Sequence, residues 1–103
     1  MLEVRGMPKI IKEFVEGLPE EVAKMNRMLA EQDLRALRRV VHLLRGSGGG
    51  YGFDSVSELA ANAEAAIHAV DSLESIKLKI NSLTGVIQRI EGFDRGRVAD
   101  YGK

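Results

Sequence analysis

Apolar residues recur along this chain at spacings of three and four, with charged residues filling the intervals. Phe14, Leu18, Val22, Met25 and Leu29 form one such stripe, the period of a helix that buries a single face. Pro19 interrupts it, and "LPEEV" (Leu18 to Val22) suits a first helical turn, with proline followed by two glutamates. The pattern therefore predicts a short leading helix and then a new one. Asp33 is placed to N-cap the next segment, "LRALRRVVHLLRGS" (Leu34 to Ser47). Ser55 and Glu58 read as a capping box opening "VSELAANAEAAIHAV", whose stripe is Val56, Leu59, Ala60, Ala63, Ile67 and Val70. The last segment runs from Leu73 to Ile90, with Ile76, Ile80, Leu83, Ile87 and Ile90 on one face and Gly92 as its stop. Alternating strand patterns and internal repeats are missing. The expectation is an all-α chain, an antiparallel four-helix bundle with a short extra N-terminal helix. Residues 1–7 are expected to be an N-terminal extension, 8–92 the bundle and 93–103 a flexible C-terminal tail.

Composition narrows the classes of function. The chain's 103 residues suffice for one domain and one core. There is no cysteine, so disulfides, thiolate metal sites and catalytic thiols are out. Fifteen basic and fifteen acidic residues cancel, unlike the basic excess usual in nucleic-acid binders. No apolar run reaches the ~18–20 residues of a membrane span, and "MLEVRGMPKIIKEF" has no secretory apolar core. The expectation is a cytoplasmic protein making no membrane contact. With one apolar stripe per helix and little left over for a dimer, it is expected to be a monomer.

Within the second long segment, "RRVVHLLRGSGGGYGF" (Arg38 to Phe53) sets a histidine four residues before a run of glycines. On a helical wheel Leu37, Val40, Val41 and Leu44 fall opposite His42, with Leu34 at that side's edge. Arg35, Arg38, Arg39, Arg45 and Gly46 lie within roughly 60° of it. His42 is thus expected on an exposed face ringed by arginines, beside a position with no side chain. Neighbouring guanidinium groups disfavour a charged imidazole. A neutral one offers a lone pair as nucleophile, and arginines supply donors for an incoming phosphate. Gly46 weakens a helix by about 1 kcal/mol relative to alanine. A merely solvated face gives no reason for that cost, whereas a bulky partner reaching His42 does.

"HLLRGSGGGYGF" resembles the signature of histidine-containing phosphotransfer (HPt) domains, close to H-x-L-[KR]-G-[SA]-x-x-x-x-G-[FL]. The resemblance spans residues 8 to 92. It implies that His42 is the phosphoacceptor, that Arg45 is the basic residue of the motif, and that Gly46, Ser47 and Gly52 fill its small and turn positions. Arginine stands where the family commonly has lysine, a fork in place of a point charge. Glu64, 22 residues after the histidine, occupies a place where the family often has Gln or Glu to orient the imidazole. A carboxylate there would accept from Nδ1–H, leaving Nε2 to attack, and would oppose the arginines electrostatically. Glu64 as a plain surface glutamate is the alternative. Arg45, Gly46, Arg38, Arg39 and Arg35 are assigned to phosphate or receiver contact. The implied function is a phosphocarrier in a two-component phosphorelay, taking a phosphoryl group from a receiver-domain aspartyl phosphate and passing it to another receiver. It implies no ATP site and no cofactor of its own, with Mg²⁺ expected on the receiver. Partners would be response-regulator receiver domains and a hybrid sensor histidine kinase, covalently linked or separate.

Other readings fare less well. The glycine run matches neither G-x-x-x-x-G-K-[ST] nor G-x-G-x-x-G, and no strand precedes it, which argues against nucleotide binding. The arginine face as a DNA-reading helix conflicts with zero net charge and the acidic first helix, and no nucleic-acid partner is expected. His42 and His68 lack metal-ligand spacing, so no metal site is expected. His68, beside Ile67, is expected to be half-buried. Tyr51 and Phe53 are expected to pack over one end of the bundle, and Leu43 and Met28 to offer an apolar docking rim. The remaining alternative is a non-catalytic helical-bundle interaction module whose arginine face binds an acidic partner.

Overall fold

The computed structural model describes residues 8–90, 92 and 93. The expected N-terminal extension (1–7) and the tail from residue 94 onward lie outside the described residues. Five helices follow one another: α1 (Lys9–Glu16), α2 (Leu18–Ala30), α3 (Leu34–Gly50), α4 (Asp54–His68) and α5 (Leu73–Gln88). There is no strand among the described residues. The short α1 and α2 are joined at Gly17, and Pro19 sits in the first turn of α2 with Glu20 and Glu21 beside it. A proline there removes only an N–H that has no partner anyway. The chain is thus a four-helix bundle, α2 to α5, with a short leading helix.

The stripes read from the sequence are the core. Leu18, Val22, Met25, Leu37, Val41, Leu44, Val56, Ala60, Ile76, Ile80, Leu83 and Ile87 are all buried, and Val15 of α1 joins them. The most extensive helix contact is between α3 and α4. Next comes α4 against α5, and α5 also touches α2, closing the bundle. Alanines on α4 (Ala60, Ala63 and Ala66) keep its buried face small, so the α3 and α5 side chains can approach its backbone. Phe14 closes one end, its ring 4.9 Å from that of Tyr51 and 5.8 Å from that of Phe53.

Three helix-to-helix turns share one geometry. Asp33 N–H donates to Met28 C=O (2.8 Å), Phe53 N–H to Gly48 C=O (2.7 Å) and Asp71 N–H to Ala66 C=O (3.0 Å). The residues before these donors, Gln32 (φ 57°), Gly52 (φ 90°) and Val70 (φ 56°), are left-handed. This is the Schellman closure, which satisfies helix-end carbonyls and lets the next helix begin within a few residues. Asp33 also caps α3 by accepting from Ala36 N–H, and Ser72 caps α5 by accepting from Ser75 N–H.

Several details depart from the sequence pattern. Helix α3 does not end at Ser47 but continues through the glycines to Gly50. The α3–α4 connection is therefore only Tyr51 to Phe53, and α4 begins at Asp54, ahead of the expected capping box. Its N-cap is Phe53, with no side-chain cap. Val70, expected in the α4 stripe, is 81 % exposed, because the helix stops before it and its left-handed backbone turns it outward. His68 is exposed, since it ends the helix. Phe93, one residue beyond the expected end of the bundle, is 3 % exposed and belongs to the core.

Candidate functional site

His42 lies midway along α3, opposite Leu37, Val41 and Leu44, which point into the core. Its side chain is 57 % exposed. Beside it α4 runs in the opposite direction: Ser57 of α4 meets the Arg45–Gly49 end of α3, and Glu64, two turns on, meets His42. Glu64 Oε2 is 2.9 Å from His42 Nδ1. A carboxylate only accepts, so Nδ1 carries the hydrogen and a neutral ring keeps its lone pair on Nε2. The Glu64 side chain is 14 % exposed, so the carboxylate end of this contact is largely out of water while the imidazole end is open to it.

The second carboxylate oxygen faces a cation. Glu64 Oε1 is 3.1 Å from Arg45 Nη1. It is buried and has no hydrogen bond of good geometry, so the pairing is one of charge alone. Arg45, expected at the phosphate, is here drawn to Glu64. One carboxylate thus holds both basic groups of the motif.

Arg35, Arg38, Arg39, Leu43 and Glu64 gather with His42 around an open concavity of about 420 Å³. No carboxylate pairs with the three arginines among the described residues. Leu43 stands at the rim, 70 % exposed, and also borders a second concavity lined by Glu13, Phe14 and Glu21. Met28, expected to share the rim, is half-buried and packs on the core. Arg45 and Gly46 lie one turn along from His42 and do not line the concavity. A Cβ placed on Gly46 would meet nothing within 4 Å among the described residues, which leave the space beside it open. Gly52 makes the α3–α4 turn with φ 90°, a conformation that favours glycine.

The sequence reading missed Ser57. Its hydroxyl donates to the Arg45 carbonyl (2.8 Å), where glycines on α3 leave room. Its position seven residues before Glu64 was the only signal, because two helical turns return to the same face. No cluster of three or more metal-ligating side chains occurs among the described residues, and no described helix is long and apolar enough to cross a membrane. The arrangement can present a lone pair to an electrophile, neutralise positive charge at the far side of the ring and draw anions to the open face.

Comparison with curated proteins and with solved structures gives no match. A family model described as "Hpt domain" matches residues 9–92.

Proposed function

The chain belongs to the Hpt domain family, whose members carry phosphoryl groups in two-component phosphorelays, and on that premise we propose that His42 is its phosphoryl acceptor. In this reading Nε2 attacks the phosphorus of a receiver-domain aspartyl phosphate. An N–P bond forms as the P–O bond breaks, and the aspartate leaves with the electron pair as a carboxylate. The proton on Nδ1 stays in place, so the ring becomes cationic as the bond forms. Glu64 compensates that charge from 2.9 Å, while holding the ring so that Nε2 faces solvent. The reverse attack by another receiver's aspartate empties the site. Mg²⁺ belongs to the receiver's acidic pocket. Arg35, Arg38 and Arg39 attract the phosphorylated face of the receiver, and the open space at Gly46 admits it.

The observation that carries this reading is the hydrogen bond between His42 and Glu64, which commits the ring to one tautomer on an exposed, arginine-lined face. The test is to incubate the protein with a phosphorylated receiver, wild type beside His42→Gln, and follow acid-labile, base-stable phosphate on the chain. Label on the wild type alone is expected. Equal label on the variant would overturn His42 as the acceptor, and none on the wild type with several unrelated receivers would leave the arginine face to acidic-partner binding.

A further inference from the structure

The family signature leaves positions 48 to 50 free, yet the chain fills all three with glycine inside a helix. The three are not equivalent. A Cβ on Gly48 would lie 3.1 Å from Val56 Cγ1 and 3.2 Å from the Ser57 backbone nitrogen, and one on Gly49 would lie 3.3 Å from Ser57 Oγ. At Gly50 nothing among the described residues comes within 4 Å. Gly48 and Gly49 therefore form a notch on α3, and Ser57 of α4 occupies it. From there Ser57 Oγ donates to the Arg45 carbonyl at 2.8 Å. Arg45 in turn reaches Glu64, which returns to α4 and holds His42.

We propose that Ser57, seated in the Gly48–Gly49 notch, is a positioning residue for the phosphoryl-accepting histidine. Its hydroxyl fixes the axial register of α4 on α3, and that register delivers Glu64 to His42 Nδ1. The proposal rests on His42 being the acceptor, although its own readout does not need phosphotransfer. Two bonds two helical turns apart make the register unambiguous. One helix sliding by a single residue moves the other's side chains ~1.5 Å along the axis, enough to break a contact of hydrogen-bond length. A glycine pair used only for tight packing would need no hydroxyl opposite it, whereas here the hydroxyl bonds to the backbone of Arg45, the residue that shares Glu64 with His42.

The experiment compares Ser57→Ala, Gly49→Ala, their double variant and Gly50→Ala in the intact protein. Three quantities are read: ring ¹⁵N resonances of His42, the rate of labelling by a phosphorylated receiver, and the thermal midpoint. Ser57→Ala and Gly49→Ala are expected to shift the ring resonances from the single Nδ1–H tautomer toward a mixture, and to slow labelling about tenfold. The double variant should be no worse than Ser57→Ala alone, because both changes break one contact. Gly50→Ala should leave the tautomer and the rate as in wild type. A wild-type tautomer in both single variants, whatever their midpoints, would overturn the proposal and leave Ser57 a packing residue. If Ser57→Ala does not fold, Gly49→Ala decides alone, since it keeps the hydroxyl. Absence of label on the wild type, with the tautomer responding as described, would refute the acceptor assignment and leave the positioning role standing.

Discussion

A single carboxylate facing both His42 and Arg45 divides its charge between an imidazole and a guanidinium. Replacing Glu64 with Gln keeps an oxygen able to accept from Nδ1–H but removes the charge that, in the proposed transfer, balances the ring. Labelling from a phosphorylated receiver should slow by roughly 10–100-fold, the range found when a carboxylate that orients a histidine is lost, with Glu64→Ala slower still. A rate equal to wild type in Glu64→Ala would reduce Glu64 to a surface residue. Gly46 gives the complementary case. Nothing among the described residues comes within 4 Å of a Cβ there, so Gly46→Ala should raise helix stability by about 0.5–1 kcal/mol while slowing transfer from the receiver. Thermal unfolding beside a transfer assay checks both. A variant that is more stable and equally fast would mean that no partner uses that space.

Among the helical elements, the turns set the limits on stability. Val70 adopts φ 56° as a β-branched residue, in a place where its exposed side chain gains little packing. Val70→Gly should relieve about 1 kcal/mol of backbone strain and raise the midpoint by several degrees, without touching transfer. An unchanged or lower midpoint would show that the turn tolerates valine without strain. Gly48→Ala should have the opposite sign, losing about 1–3 kcal/mol through overpacking against Val56 and the Ser57 backbone. The helical stripes were legible because a period near 3.6 fixes which face is buried, and Leu37, Val41, Ile80 and Ile87 are where that pattern puts them. The exposure of His42 was legible for the same reason. The ends were not: glycine is a poor helix former locally, yet the fit of α4 against α3 carries the helix through Gly50. Ser57 escaped notice because its partner depends on the register between two helices, which no single segment encodes. The pairing of Arg45 with Glu64 was hidden likewise, although each residue had been singled out.

For the molecule as a whole, a net charge of zero conceals an uneven distribution. Helix α3 carries four arginines and no carboxylate, whereas acids such as Glu13, Glu20 and Glu21 lie on α1 and α2. Association with an acidic receiver face should therefore weaken as salt rises, because exposed charges are screened over ~10 Å at 0.1 M. Arg35→Glu with Arg39→Glu should slow transfer and flatten its salt dependence, read as the rate at several ionic strengths. A double variant with the wild-type rate and slope would show that the arginines do not steer the partner. Glu64, which contacts the imidazole, and the groups proposed to position it all come from the α3–α4 pair, with Arg45, Gly48 and Gly49 on one helix and Ser57 and Glu64 on the other. Helices α1, α2 and α5 supply the core behind them. That division makes residues 34–68 a portable cassette. Grafted onto any antiparallel helical hairpin of the same register, these side chains would reproduce the oriented imidazole, while the choice of partner would remain with the surface into which they were set.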